Sequence, residues 1–468
     1  MNIRTRALLV ASLATMTLLG WPPALAQNAA AEENSTAVAA SARQDDDDDD
    51  ETAAPVAPVH LDGTKKCLDC HGDLAAVGRV HGPVKAGLCT ACHEQLGLLN
   101  HDFRPIQNIA SSCAACHKAY IGAVTHEPVK EGDCMSCHAP HHSENPFLLL
   151  EPNQTSLCGR CHEDQLGTGK DFIHGPVAAG VCTLCHEPHA ANQPGLLISS
   201  KQQLCLECHV DFRAGLNAAD LIHEPVGEDC SLCHDPHASD HQFQLREGGK
   251  ALCLECHLDM GQRLDDAVVS HSAVTTGAEC LNCHLAHHAP FPKLLGESPM
   301  GKCLECHQQS TLRPDGSEIM AIGQKLDDSD FLHGPIRDGN CTACHEPHGT
   351  AEFALLRHSY PQSFYAPYAS DTYSLCTQCH EVGAFESEET ETLTEFRDGS
   401  RNLHFLHVNK DPKGRTCRAC HDTHSSNMPR HMVDGVRFGK WTFPLVFEQT
   451  PSGGSCFSGC HEQRFYNR

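Results

Sequence analysis

Fifteen pairs of closely spaced cysteines account for all thirty cysteines of this 468-residue chain, and a histidine directly follows the second member of each pair. Fourteen pairs read Cys-x-x-Cys-His: Cys67, Cys70 and His71; Cys89, Cys92 and His93; Cys113, Cys116 and His117; Cys134, Cys137 and His138; Cys158, Cys161 and His162; Cys182, Cys185 and His186; Cys205, Cys208 and His209; Cys230, Cys233 and His234; Cys253, Cys256 and His257; Cys280, Cys283 and His284; Cys303, Cys306 and His307; Cys341, Cys344 and His345; Cys376, Cys379 and His380; Cys417, Cys420 and His421. The fifteenth, Cys456, Cys460 and His461, holds one extra residue. At this cysteine and histidine content about 0.15 such motifs are expected by chance, so composition alone does not produce them.

The spacing carries a chemistry. Two thiols about one helical turn apart add across the two vinyl groups of a haem, and the adjacent histidine is then held beneath the iron as axial ligand. Three other uses of paired cysteines fit less well. Disulfides stabilise by joining distant segments, which fifteen tiny loops cannot do. Tetrahedral zinc has no need of a histidine directly after every second cysteine. A redox dithiol occurs once or twice on a thioredoxin-like domain, and no βαβ pattern is visible here. The expected cofactor is therefore heme c, about fifteen covalently attached groups.

Two tryptophans and six tyrosines in 468 residues make a thin core. Porphyrins, as large apolar plates, are expected to fill that role, so that the polypeptide wraps around them. Arg4 and Arg6, the apolar run 7–19 and Ala24-Leu25-Ala26 predict a signal peptide over 1–26. Thiols are joined to haem outside the cytoplasm, so export fits; periplasm, outer-membrane association and the cell exterior all remain compatible. The run is too short for a membrane span, and no later segment approaches one, so no transmembrane helix is expected in the mature chain. Residues 27–59, with aspartates from Asp45 to Asp50, are expected to be a disordered acidic leader. A net charge of −26 excludes nucleic acid as a partner and favours a basic redox protein or a metal-bearing substrate.

The motifs recur as pairs, most clearly from Cys158 to His189, with related units starting at Cys67, Cys113, Cys205, Cys253, Cys303 and Cys376. Each unit offers two more histidines. One precedes the second motif: His81, His126, His174, His223, His271, His333 and His407. The other follows it by three residues: His141, His189, His237, His287, His348 and His424, with His101 as the substitute in the first unit. A sixth iron ligand is needed if iron only carries electrons, and methionine is the usual competitor. Eight methionines, two of them in the signal peptide, cannot serve fifteen irons. Bis-histidine coordination is therefore predicted, with the histidine three residues past a motif reaching a neighbouring haem, because it cannot swing to the far face of its own.

Motif spacing divides the chain into a regular ten-haem module, 60–302, and a five-haem module, 303–468, with insertions over 308–330, 349–374 and 381–400. Short helical turns are expected to carry the motifs, as over 199–209, where Ser199 or Ser200 could cap. The fold class follows: mostly irregular with short α-helices, few or no β-strands, an elongated array of haem-pair repeats. If roughly 400 residues collapsed to a ball instead, fifteen haem centres would still lie about 18 Å apart.

Cys182 to His209 reads Cys-x-x-Cys-His-x-Pro-His, then Leu196-Leu197, then Leu204-Cys-x-x-Cys-His. It resembles the doubled CxxCH multihaem cytochromes, and His-Gly-Pro-Val before a motif is similar to the cytochrome c3 superfamily and to periplasmic decahaem cytochromes that enter an outer-membrane porin. The resemblance implies electron transport along bis-histidine haems between a periplasmic donor and an outer-membrane or extracellular acceptor, with redox proteins, a porin or an extracellular cytochrome as partners. Three departures stand out: no His-x-Pro-His after His93, Leu-Ala-His-His at 285–288, and the widened last motif. Two other functions compete. A multihaem reductase would need an open iron, and no Cys-x-x-Cys-Lys motif occurs. A conducting filament would need a self-assembly surface that the sequence does not announce.

Overall fold

The computed structural model describes residues 64–468 except 77, 98–100, 119, 314 and 315; the expected signal peptide and acidic leader lie outside the described residues. Within them the chain is mostly irregular with short helices, as the sequence predicts, none longer than nine residues; its strands, most of them two residues long, form only small antiparallel sheets of two or three.

Thirteen of the fifteen motifs close as turns in which the histidine N–H donates to the carbonyl of the first cysteine, at 2.9 Å in His71, His117 and His162. First motifs of a unit end short α-helices such as Gln154–Gly159, where Asn153 Oδ1 accepts Ser156 N–H at 2.8 Å and so satisfies one free donor. Second motifs ride on 3-10 turns such as Cys182–Leu184. The helix Lys201–Cys208 begins where expected, after Ser200, but no side-chain hydrogen bond caps it.

The histidines upstream of the second motifs sit at helix starts. His81, His126, His174, His223 and His333 are the N-cap residues of Pro-containing turns such as Gly175–Ala178. Proline presets the first turn and has no N–H to leave unpaired, so the chain turns sharply and the preceding imidazole projects from the bend. The two residues before each of these histidines pair with the segment after the next unit's second motif. Val124–Thr125 thus meets Ala190–Ala191, and Phe172–Ile173 meets Ala238–Ser239. The backbone bond continues into the histidines, since His126 N–H donates to His189 O and His174 N–H to His237 O, both at 2.9 Å. The same clasp joins Val269–Ser270 to Gly349–Thr350 across the 302/303 boundary.

Conventional packing is concentrated late in the chain. Before residue 300 the buried apolar residues are Ala191, Leu216, Ala238 and Ala289. After it, Leu356, Tyr360 and Tyr373 form one cluster, and Met432, Val436 and Leu445 another. Tyr360 Oη accepts Arg418 N–H at 2.9 Å, which ties the 349–374 insertion to the motif at Cys417. The C-terminus adds a hairpin, Gly435–Phe438 with Trp441–Pro444, and a three-stranded sheet, Val446–Thr450, Gly453–Phe457 and Arg464–Asn467. Cys456 lies on its central strand, so the widened last motif begins on a strand instead of a turn. Gly453, Gly454 and Ser455 give that strand no apolar alternation to read in advance.

Tyr373 is 1% exposed and packs edge-on to Tyr360 with ring centres 5.8 Å apart. Tyr373→Ala is expected to cost about 3–5 kcal/mol, as for other large buried aromatics. Hydrogen exchange should show lost protection over 356–376 and little change over 158–240.

Candidate haem sites

Numbering the motifs 1 to 15 in chain order, fourteen of the fifteen motif histidines face a second imidazole. Ring centres are 5.6–6.4 Å apart and ring planes within 4–28° of each other. A metal bonded to one nitrogen of each ring at about 2 Å puts the ring centres about 6 Å apart, so the spacing suits axial ligation. The Nε2 atoms of His71 and His101 point at one another across 3.4 Å.

One rule generates the interior pairs. The upstream histidine of a unit faces the first motif of the next unit: His81, His126, His174, His223, His271 and His333 face His117, His162, His209, His257, His307 and His380. The downstream histidine faces the second motif of the previous unit: His141, His189, His237, His287, His348 and His424 face His93, His138, His186, His234, His284 and His345. Every junction between the seven units is therefore crossed twice, once in each direction.

The ends follow the rule by substitution. His101 faces His71, where a preceding unit would have supplied the ring. His404, which sequence reasoning passed over, faces His421, where a following unit would have supplied it. His407 is pushed to lower pKa by burial, and among the charges acting on it is His461. The sequence signal for His404 was its position three residues before His407, on the helix Leu403–Val408. Burial lowers the pKa of His404 to about 4 and that of His424 to about 4, which keeps both rings neutral and able to bind metal at neutral pH.

The second ring nitrogen is engaged elsewhere, which leaves Nε2 as the ligand. Nδ1 of His138, His186, His234, His284, His345 and His421 bonds the carbonyl of the residue nine positions on, at 2.7–3.0 Å. Those residues, Phe147, Gly195, Phe243, Lys293, Ala354 and Arg430, all have φ between +52° and +69°. Left-handed backbone costs a non-glycine residue about 1–2 kcal/mol. A second bond holds the turn in place, for example from Glu187 N–H to Leu196 O at 2.8 Å. Phe147 and Phe243 leave 84% and 74% of their surface free of the polypeptide, beside the imidazoles they hold. An apolar face at that position suits a porphyrin.

The cysteines place the motifs in single file. Within each unit the two first cysteines lie close enough for one to shift the pKa of the other, as do Cys67 and Cys89, Cys158 and Cys182, and Cys376 and Cys417. Between units burial raises the pKa of Cys137, Cys185, Cys233 and Cys283, and the next motif's Cys161, Cys208, Cys256 and Cys306 add to it at close range. Cys420 likewise has Cys456 and Cys460 beside it. Among the described residues no three or more Cys, His, Asp or Glu side chains converge as a metal cage. Paired thiols, a motif histidine and an opposed imidazole fit haem c instead.

The left-handed turn at Lys293 gives a test. Lys293→Gly, which copies Gly195, should leave stability within about 1 kcal/mol of the parent. Lys293→Pro cannot adopt φ +62° and should cost about 3 kcal/mol or more. Denaturant titration of the two variants separates these outcomes.

The doubled CXXCH motif family matches six times, over 81–121, 126–167, 174–214, 223–262, 271–311 and 333–385, more than half of the chain. Each of the six matches contains two motifs, and all six begin at an upstream histidine, half a unit out of phase with the Cys158–His189 frame read from the sequence. In the matched phase each upstream histidine and the first-motif histidine it faces fall inside one repeat, as His174 and His209 do. No curated protein matches the chain. The chain belongs to the doubled CXXCH family: it is a multihaem c-type cytochrome that binds haem c covalently and serves in electron transfer.

Proposed function

We propose that all fifteen motifs carry haem c, that the facing imidazoles are the sixth ligands, and that electrons pass along the sites in chain order. Haem supplies a one-electron iron couple at each site, with a lower potential under two imidazoles than under histidine and methionine. The observation that carries this reading is the single file. Side-chain contacts such as Gln154 with Thr183 and Lys201 with Asp229 join the two motifs of a unit, and two crossed imidazole pairs link each unit to the next. The chain thereby keeps consecutive sites adjacent without a conventional core over most of its length. Ten regular sites within 60–302 lead into five more elaborated ones within 303–468.

An exported protein with this net acidic charge suits carriage between a periplasmic donor and an outer-membrane or extracellular acceptor, with a basic redox protein steered to its surface. Among the described residues no helix is long and apolar enough to cross a membrane. A porin or extracellular cytochrome is the natural partner for such a route. His101 supplies the opposed imidazole of site 1 and His404 that of site 14 from within the same chain. Fourteen of the fifteen sites therefore need no ligand from a second copy, which favours a self-contained carrier over a filament that shares ligands throughout. Site 15 is the best place for a catalytic iron, because its motif is widened and begins on a strand.

A pyridine haemochrome assay should count close to fifteen haems per chain. His189→Ala should create one high-spin iron at site 4, attached through Cys134 and Cys137. Removing those two cysteines in the same protein should abolish the high-spin signal, whereas removing Cys182 and Cys185 should leave it; the reverse pattern would sink the pairing. His404→Ala should free site 14 in the same way.

A further inference from the structure

The facing imidazoles differ in what their Nδ1 atoms touch. At sites 3, 5, 7 and 9 the partner is a backbone carbonyl each time, Pro140 for His81, Pro188 for His126, Pro236 for His174 and Ala286 for His223, all at 2.9 Å. A neutral carbonyl repeated at one distance gives these sites a common environment. The even sites are not uniform. Two residues before the downstream histidine stand Ala139, Glu187, Asp235, Leu285, Glu346 and Asp422, for sites 2, 4, 6, 8, 10 and 12.

Side-chain length then decides the contact. Glu346 Oε1 accepts from His348 Nδ1 at 3.1 Å, and Glu187 Oε1 lies 3.3 Å from His189 Nδ1. Asp235 is one carbon shorter. It stays 3.9 Å from His237 Nδ1 and accepts the backbone N–H of that residue at 2.9 Å. Asp422 does the same toward His424 N–H at 3.1 Å, and its other oxygen is taken by Lys325. Ala139 and Leu285 offer no carboxylate, and at those two sites a second histidine, His142 or His288, follows the facing one.

We propose that Glu187 and Glu346 are positioning residues that hold sites 4 and 10 at lower reduction potential than sites 2 and 8. A carboxylate accepting the Nδ1 proton makes the imidazole a stronger donor and places negative charge near the iron, and both effects favour the ferric state. Glu346 is the better shielded of the two, with its side chain 18% exposed against 47% for Glu187, so water screens it less. Arg263 reaches the other oxygen of Glu346 at 3.3 Å and offsets part of that charge without competing for the ring. Along the file the even sites then run high at 2, low at 4, high at 8 and low at 10. The two low positions stand six places apart.

This inference rests on the ligation proposed above, and the test keeps the two apart. The parent holoprotein is first shown by haemochrome count and optical spectrum to carry fifteen haems, at least fourteen of them low-spin; fewer low-spin haems than that count against the ligation. Potentiometric titration then compares variants. Glu346→Gln should raise one of fifteen equivalents about tenfold in its ferric–ferrous equilibrium, about 59 mV for one electron, with the low-spin spectrum unchanged. Glu346→Asp keeps the charge but loses the reach, and should move the same equivalent the same way by less. Leu285→Glu installs the carboxylate at site 8 and should lower one equivalent. The inference is overturned if Glu346→Gln moves no equivalent or moves one downward, or if Leu285→Glu leaves the titration unchanged.

Discussion

Opposed imidazoles crossing each unit boundary are the constraint on which the rest of the architecture depends. A unit of this chain buries almost nothing by itself, and before residue 300 its buried apolar residues are three alanines and one leucine. Short helices of four to nine residues are marginal in water without tertiary support. The two-residue clasps between units are far below the size of an independently stable sheet. What remains to organise the chain is a set of fixed points, namely paired thiols and imidazoles brought face to face. Each unit lends one ring to the next unit and one to the unit before it.

That reciprocity explains local features that otherwise look unrelated. Proline after the upstream histidine makes a sharp helix start from which the imidazole projects. The clasp places the upstream and downstream histidines of adjacent units side by side, yet sends them to different sites. The strained left-handed turn nine residues after a second motif aims a carbonyl at the motif histidine, and its backbone is held by a further bond to the residue after that histidine. Where the array must stop, the chain supplies a substitute ring. Beyond residue 350 ordinary packing takes over, with tyrosines, a hairpin and a small sheet forming the one region that resembles a conventional core.

Much of this was legible in advance because attachment chemistry is local. Two thiols and a histidine within five residues announce themselves without any knowledge of the fold, and the scarcity of methionine narrows the sixth ligand by count alone. Recurrence in register then picks out His126 or His189 from the remaining histidines. The phase of the repeat was not legible, since a chain of alternating motifs can be cut into pairs in two ways. Nor was His404: it lies outside the recurring positions and takes its place only because no eighth unit follows to supply a downstream histidine. The serine expected to cap at 200 occupies the right position, but its hydroxyl makes no such bond.

The sequence by itself determined which residues can hold haem, how many sites there can be, and that the polypeptide has too few large apolar side chains to fold around itself. Those are properties of composition and of spacing within a few residues. Tertiary structure alone decided which imidazole faces which motif, that each unit's histidines cross to both of its neighbours, and that glutamate reaches a ring nitrogen where aspartate does not. Each of these depends on distances between residues 17 to 79 positions apart, or on a single methylene at a fixed backbone position, and neither is written in local pattern.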